Sequence, residues 1–166
     1  MIIDKLHCFW GSESALSQWH PCSFQIGRYY FNTAEQYMMW CKADLFDDLE
    51  IAGKLLQCSD PRECKALGRA VKNFVPETWD KVKEDVVFLG NLAKFSQNVK
   101  LFGELRRTWG CRLVEASPYD KIWGTGLNEV ATREYYEKGM TWPGLNLLGI
   151  TLEKVRNVLV TGQFFG

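Results

Sequence analysis

Residues 31–44 read FNTAEQYMMWCKAD, a run that predicts a helix with a defined start and an almost wholly apolar surface. Thr33 is a favourable N-cap residue, and Gln36, three positions later, completes a capping-box pattern. Residues 37–41 leave almost no polar face, so we expect the helix to be largely buried. The rest of the chain is therefore expected to pack around it.

Glu35 and Lys42 are the exceptions on this apolar helix, where Glu35 shares a face with Met38, Met39 and Lys42. A buried carboxylate is costly unless it is paired or used in function. A structural interpretation is available, because an acid in the first turn faces the positive end of the helix dipole and could also pair with Lys42. Spacing alone leaves the structural and functional interpretations open.

Length and composition favour one domain over residues 1–166 with a real core, since the chain has 166 residues and is 46% hydrophobic. Charge is balanced, with 20 basic and 20 acidic residues. This balance argues against a protein that holds long duplexes by neutralising phosphates, but it is compatible with a pocket for a single phosphate.

Cysteine and histidine usage predicts neither disulfides nor a metal centre. The six cysteines form no CxxC pair, and two histidines without ligand spacing make a zinc site improbable. We expect neither a signal peptide nor a transmembrane segment, because the sequence contains no long apolar run. We expect a reduced, cytoplasmic protein that uses no metal or cofactor and does not associate with a membrane.

Hydrophobic periodicity predicts a mainly α fold with a small β component, an α+β protein. Strands are expected at 2–9 and 112–115, with a hairpin of 23–26 and 29–31 around Gly27-Arg28. Helices are expected from 33, from 47 up to a stop at 59–61, from 61, over 77–97, over 99–109 and from 146 to 159. In the helix at 77–97 the apolar residues at helical spacing are Val82, Val86, Leu89 and Ala93. Residues 117–146 are predicted to be loop, apart from a short helical turn near 129–136.

A second candidate stretch, residues 113–126, leaves a predicted strand, carries Glu115 and Asp120, and reaches a Trp-Gly-x-Gly turn. Gly124 and Gly126 would allow the backbone to approach a ligand closely. The alternative is a surface turn in which Asp120 is a local cap. A third stretch, 142–149, ends at a helix N-terminus whose free N–H groups can hold a phosphate, although it matches no established phosphate motif.

Over about residues 8–159 the chain resembles the NADAR (YbiA-like) family. The resemblance rests on motifs in order along the sequence: Phe9-Trp10, 16–19, 31–37, Lys42-Ala43, 67–69, 93–98, 113–117, Asp120-x-x-Trp123-Gly124-x-Gly126, Trp142-x-Gly144-x-Asn146-x-Leu148-Gly149 and Arg156. The family often has Ser-Asn-Phe where this chain has Ser17-Gln18-Trp19, and this departure leaves the pocket shape open.

The resemblance implies a mainly helical N-glycosidase that cleaves the bond between a nitrogen and the anomeric carbon of a ribose phosphate. One branch of the family hydrolyses ribosylamino pyrimidine phosphates, early intermediates of riboflavin biosynthesis. Another branch removes ADP-ribose from guanine in nucleic acid. The expected partner is therefore a small ribose-phosphate or ADP-ribose substrate, with ADP-ribosylated nucleic acid as an alternative.

For an N-glycosidase, the chemistry favours Glu35 as the carboxylate that stabilises an oxocarbenium-like state and activates water. Asp120 is the second carboxylate, for ribose hydroxyls or for orienting water. Phe9, Trp19 and Trp123 are predicted aromatic contacts to substrate. Phosphate contacts through backbone N–H groups or the amide are predicted for Gly124, Asn146 and Gly149. Two cations, Lys42 and Arg156, are predicted to offset the phosphate charge, and the alternative for both is an internal ion pair.

Two other functions compete with hydrolysis of a free pyrimidine substrate. Balanced charge favours a small substrate over ADP-ribosyl-guanine in nucleic acid, since a nucleic-acid substrate usually calls for a basic rim. A non-catalytic module that binds ADP-ribose or another NAD metabolite would keep the aromatic and phosphate contacts without needing Glu35. A purely structural scaffold would leave the long loop rich in Trp and Gly unexplained.

Overall fold

The computed structural model describes residues 5–164 and is dominated by helices. Its elements in chain order are strands β1 (Leu6–Phe9), β2 (Phe24–Ile26) and β3 (Tyr29–Phe31), helices α1 (Ala34–Leu45), α2 (Leu49–Leu56), α3 (Pro61–Arg69), α4 (Pro76–Ser96) and α5 (Val99–Arg107), strand β4 (Arg112–Glu115), and helices α6 (Glu129–Glu137) and α7 (Leu147–Thr161). The predicted mainly α fold with a small β component is confirmed. The start of the first predicted strand, residues 2–4, lies outside the described residues.

The chain divides into two compact units. One contains the described residues up to Ser17 together with those from Phe102 onward, and the other contains Gln18–Leu101. The first unit holds β1, β4, α6 and α7, the second holds β2, β3 and α1 to α4, and α5 spans the boundary.

In the second unit, α1 is the central element, since it packs against α2, α3 and α4. Strands β2 and β3 form the predicted antiparallel hairpin, with Phe24 opposite Phe31. Gly27 has a φ of 59° in the turn, a conformation that glycine adopts without penalty. Phe24, Phe31 and Tyr37 form an aromatic core between the hairpin and α1.

The start of α1 is fixed by the predicted cap. Thr33 Oγ1 accepts from the Gln36 N–H at 3.1 Å. In a capping box the Gln36 side chain would accept from the Thr33 N–H. Here its Oε1 accepts instead from the N–H of the preceding residue, Asn32, at 2.7 Å. Its Nε2 donates to the Leu55 carbonyl at 2.8 Å, which ties the first turn of α1 to α2.

Helix α4 is present as predicted, but the predicted apolar stripe is not its most buried side. Leu89 is 50% exposed. The buried residues of α4 are Trp79, Val87, Gly90, Asn91, Lys94 and Phe95. The side that faces α1 is set by Gly90, because a Cβ on this residue would lie 2.5 Å from Cδ1 of Tyr37. The close approach of the Tyr37 ring selects this side of α4 over the one with more aliphatic residues.

In the first unit, β1 and β4 form a parallel pair, with Phe9 opposite Glu115, and α7 packs along β4. The backbone N–H and C=O groups on the outer edge of β4 form hydrogen bonds with residues outside the sheet. Asn146 Oδ1 accepts from the Glu115 N–H and its Nδ2 donates to the Leu113 carbonyl, both at 3.0 Å. Glu153 Oε1 accepts from the Leu113 N–H at 2.7 Å, and the Thr125 N–H donates to the Glu115 carbonyl at 2.9 Å. The start of α7 is thereby fixed on the strand.

Candidate functional site

The predicted site residues fall into both units. Trp19, Glu35 and Lys42 belong to the second unit, and the first unit holds Phe9, Asp120, Trp123, Gly124, Asn146, Gly149 and Arg156.

Glu35 lies in the first turn of α1 and is 7% exposed, so the expected buried carboxylate is present. Its backbone N–H donates to the Gln18 carbonyl at 3.0 Å. The first N–H groups of a helix have no partner within the helix, and they generate a positive potential that favours an anion. The fold therefore supports a carboxylate in a place where water is largely excluded.

Lys42 lies two turns after Glu35 and is half-buried. Its Nζ is 4.2 Å from the ring centroid of Phe74. Burial lowers the pKa of Lys42, nearby Arg69 lowers it further, and Glu35 acts in the opposite direction. Lys42 belongs to none of the ion pairs formed within residues 5–164, so it and Glu35 interact through space rather than as an ion pair at contact distance.

Two further cations lie on α3, and one of them, Arg69, is near enough to Lys42 to lower its pKa. Lys65 and Arg69 are one turn apart, and Lys65 Nζ is 6.0 Å from the ring centroid of the half-buried Trp19. Gly68 allows α3 to approach α1 closely here, since a Cβ at this position would lie 2.0 Å from the Met39 sulfur. We refer to Lys42, Lys65 and Arg69 as the cationic cluster, a group whose charge suits a phosphate.

In the first unit, Asp120 shapes the turn that carries Trp123. Its Oδ1 accepts from the backbone N–H groups of Ile122 at 2.9 Å and of Trp123 at 2.8 Å. These are the contacts of the local cap considered as the alternative for Asp120. Trp123 is half-buried, and its carbonyl accepts from the Leu148 N–H at 3.1 Å. A second role of Asp120, toward substrate, stays a prediction.

Gly124, Asn146 and Gly149 are brought together, and they make close structural contacts. The Asn146 N–H donates to the Gly124 carbonyl at 3.0 Å. A Cβ on Gly149 would lie 2.1 Å from the Leu113 carbonyl oxygen, and one on Gly124 would lie 2.9 Å from the Glu115 carbonyl oxygen. The Asn146 amide is taken up by β4, so the predicted phosphate contact in this region depends on backbone N–H groups rather than on that amide.

Phe9 and Arg156 are both buried. Phe9 is 5% exposed, whereas its neighbour Trp10 is 56% exposed and contacts the Tyr119 ring. Arg156 Nη1 donates to the Thr108 carbonyl at 2.6 Å and to the Thr108 hydroxyl at 2.9 Å. Burial lowers the Arg156 pKa. Both side chains have evident packing roles, and their contact with substrate stays a prediction.

Several polar residues for which the sequence predicts no role are buried or grouped together by the fold. Gln18 is 8% exposed, and Asn91 and Lys94 are fully buried. Burial lowers the pKa of Lys94 to about 8. For two of them the signal was available in α4, where Asn91 and Lys94 recur at helical spacing beside Val87 and Phe95. Lys65 and Arg69 could similarly have been recognised from their separation by one helical turn.

Across residues 5–164, no three His, Cys, Asp or Glu side chains are grouped so that they could hold a metal ion. None of the helices in that range combines the length and apolar character needed to span a bilayer.

Comparison with known proteins then identifies the family. The model of the NADAR domain matches residues 8–160. The chain belongs to the NADAR family. The match extends through both units, and the predicted membership is confirmed.

Curated relatives of this NADAR chain include named N-glycosidases. It is 46% identical to N-glycosidase R617 of Acanthamoeba polyphaga mimivirus over 94% of this chain and 97% of the relative. It is 31% identical to N-glycosidase Npun_R5314 of Nostoc punctiforme over 93% and 94% of the two chains. The predicted enzyme class, N-glycosidase, is confirmed at this level.

The chain is also similar to part of a larger protein and to one solved structure. The chain is 31% identical to the chloroplastic riboflavin biosynthesis protein PYRR of Zea mays, over 91% of this chain but 24% of that protein. The NMR structure of Escherichia coli YbiA matches with a TM-score of 0.77 and 23% identity, covering 96% of this chain and 87% of YbiA. The second similarity supports the fold alone.

Proposed function

We propose that this NADAR protein is an N-glycosidase that hydrolyses the C–N bond between a nitrogenous base and a ribose phosphate. The observation that carries the proposal is Glu35, a buried carboxylate on the central helix of its unit, with the cationic cluster on α1 and α3 nearby. The single family match across both units supports a chain that acts as one domain.

The chemistry needs a group that tolerates positive charge at the anomeric carbon. As the C–N bond breaks, its electron pair leaves with the base nitrogen, and the sugar becomes oxocarbenium-like. An ionised Glu35 would stabilise this charge and accept a proton from the attacking water, whose oxygen forms the new bond to the anomeric carbon. The base nitrogen gains a proton, and the products are the free base and ribose 5-phosphate.

The cationic cluster would hold the phosphate, because lysine and arginine side chains bind phosphate oxygens through charge-assisted hydrogen bonds. Trp19 supplies a half-buried ring beside Lys65 that could stack on the base. For the first unit, contacts to substrate stay a prediction for Asp120, Trp123 and the backbone near Gly124 and Gly149.

For the substrate we propose early riboflavin-pathway intermediates, ribosylamino pyrimidine phosphates. Two facts support this choice over a nucleic-acid substrate. The chain has zero net charge, which suits a small soluble substrate better than a phosphate backbone. Its sequence also matches part of a protein named for riboflavin biosynthesis.

The test incubates the protein with a ribosylamino pyrimidine phosphate and, separately, with ADP-ribosylated guanosine, and measures by chromatography the base released from the first and the guanosine released from the second. We expect release from the first substrate and its loss in Glu35→Gln. Release only from ADP-ribosylated guanosine would replace the proposed substrate by the alternative. If ADP-ribose binds equally to both forms while neither turns over any substrate, the protein is instead a non-catalytic binding module.

A further inference from the structure

Gln18 makes a different contact at each of its ends, and both lie within the second unit. Its backbone carbonyl accepts from the Glu35 N–H at 3.0 Å. Its side-chain Oε1 accepts from Nδ2 of Asn91, on α4, at 2.8 Å, and its Nε2 donates to the Met38 sulfur, on α1, at 4.0 Å. Gln18 therefore joins α4 to the residue that carries the candidate carboxylate.

The contact to Glu35 helps to fix the beginning of α1. The N–H groups of a first helical turn need partners from outside the helix. Thr33 supplies one for Gln36, and the Gln18 carbonyl supplies one for Glu35. A shift of the Gln18 backbone would thus release or move the turn from which the Glu35 side chain projects.

Asn91 holds the other end of Gln18 at a cost to stability. Its Nδ2 donates both to Gln18 and to the Val87 carbonyl, the latter at 2.9 Å. Its Oδ1 is buried and accepts no hydrogen bond from any group within residues 5–164. An unsatisfied buried acceptor destabilises a fold, and an apolar residue of the same shape would avoid that penalty. Stability alone therefore does not account for an amide at this position.

We propose that Asn91 is a positioning residue for Glu35 and that it acts through Gln18. The inference rests on the catalytic role proposed for Glu35. Asn91 holds the Gln18 side chain against α4, so that the Gln18 carbonyl stays on the Glu35 N–H and the carboxylate keeps its place. Displacement of a reacting group by an ångström can reduce turnover on the order of 10²-fold, so this link would affect catalysis without touching substrate.

The test replaces both amides by apolar residues of similar shape, as Asn91→Leu with Gln18→Met. Because the pair is removed together, no hydrogen-bonding atom of either side chain is left unpaired, and the variant is expected to fold. We expect kcat to fall by roughly 10- to 100-fold with KM nearly unchanged. We also expect the Glu35 backbone amide to exchange faster in hydrogen-exchange NMR, while amides in the middle of α1 keep their protection.

A matched control is available at the C-cap of the same helix. Gln97 ties α4 to β2 by accepting from the Gln25 N–H and donating to the Gln25 carbonyl, both at 2.8 Å. Gln97→Leu should increase exchange at the Gln25 amide and leave kcat and the Glu35 amide unchanged. It thus removes an amide tie of the same kind that does not lead to Glu35.

The two readouts separate this inference from the proposed function. A folded double variant with the exchange rate of the wild type at Glu35 would overturn the inference, as would a wild-type kcat. Should the wild-type protein release no base from either substrate, the proposed function fails and the catalytic role of Asn91 fails with it. The exchange rate at Glu35 would still decide whether the physical link through Gln18 exists.

Discussion

Glu35 raises the pKa of Lys42, seven residues later on α1, while burial and Arg69 lower it by more. The two side chains are therefore coupled through space, although Lys42 takes part in no ion pair within the described chain. The two residues have different proposed roles, Glu35 as the carboxylate for the reacting sugar and Lys42 as a cation for its phosphate. Each role can be tested by changing one residue.

Glu35→Gln should lower kcat by a factor on the order of 10² or more, because the amide can neither accept the proton of water nor stabilise a positive charge. Its similar shape should keep the fold, as judged by circular dichroism and the urea midpoint. Base release measured by chromatography gives the rate. A folded variant that turns over at the wild-type rate would remove Glu35 from the mechanism.

Lys42→Met should raise KM for a phosphorylated substrate by roughly 10-fold, the effect of losing one charge-assisted contact worth about 1.4 kcal/mol. The KM for the same nucleoside without phosphate should not change. Lys54→Met is the matched control, since Lys54 forms an exposed pair with Glu50 on α2. Equal effects of Lys42→Met on both substrates would argue against a phosphate contact.

Trp123→Ala should raise KM by roughly 10-fold, since stacking on an aromatic side chain is worth about 1–3 kcal/mol for each base. Tyr30→Ala removes an aromatic ring that is 66% exposed on β3, and it should have no effect. The KM of each variant is measured from initial rates across a range of substrate concentrations. Identical KM values for the two variants would exclude Trp123 as a stacking residue.

Gly149→Ala should destabilise the protein by roughly 2–4 kcal/mol, because the new Cβ would lie 2.1 Å from the Leu113 carbonyl oxygen and neither backbone can yield easily. Gly53→Ala in α2 meets no atom within 4 Å and should be neutral or stabilise by about 0.5–1 kcal/mol. Urea unfolding measures both. A Gly149→Ala protein as stable as the wild type would contradict the packing of α7 on β4.

Lys94 should make stability depend on alkaline pH. Its pKa is lowered by burial to about 8 in the folded chain, against an ordinary 10.5. Between these values the unfolded chain binds the additional proton, so the contribution of Lys94 to the free energy of unfolding rises with pH by up to about 3 kcal/mol and is constant below pH 8. Lys94→Met lacks this dependence.

Comparing urea unfolding of wild type and Lys94→Met from pH 7 to 10.5 isolates the effect of the lysine. The Cys41 thiol titrates in the opposite direction, since burial raises its pKa to about 11, but its contribution is common to both proteins. Both proteins carry Cys22→Ala, because Lys94 lowers the pKa of the Cys22 thiol and removal of the lysine would change its titration. The stability of the wild type relative to the variant should increase with pH. A constant difference would show that Lys94 keeps its proton throughout.

Local signals in the sequence predicted the secondary structure well. The Thr33 cap, the two-residue turn at Gly27-Arg28 and the helix near 129–136 each depend on neighbouring residues, and each is present. The burial of Glu35 followed from Met38 and Met39, which share its face of the helix. Local chemistry of this kind is contained in a few consecutive residues, so it can be interpreted without tertiary contacts.

Contacts between distant segments could not be predicted. Nothing near Gly149 in sequence indicates the Leu113 carbonyl that excludes a side chain there. The Asn146 amide likewise bonds to a strand more than thirty positions earlier. Asn91 and Lys94 interrupt the apolar face of α4, so aliphatic periodicity pointed to Leu89 instead. Their burial depends on how closely the Tyr37 ring approaches Gly90.

The side chains of Asn146 and Glu153 have a consequence for solubility. A sheet of two strands ordinarily has unpaired backbone N–H and C=O groups along its edges. Another polypeptide can add a strand there and begin to aggregate. Here Asn146 presents a donor and an acceptor to β4 as a neighbouring strand would, and Glu153 and Thr125 occupy the remaining groups of Leu113 and Glu115. This side of β4 is therefore closed to self-association by its own helix.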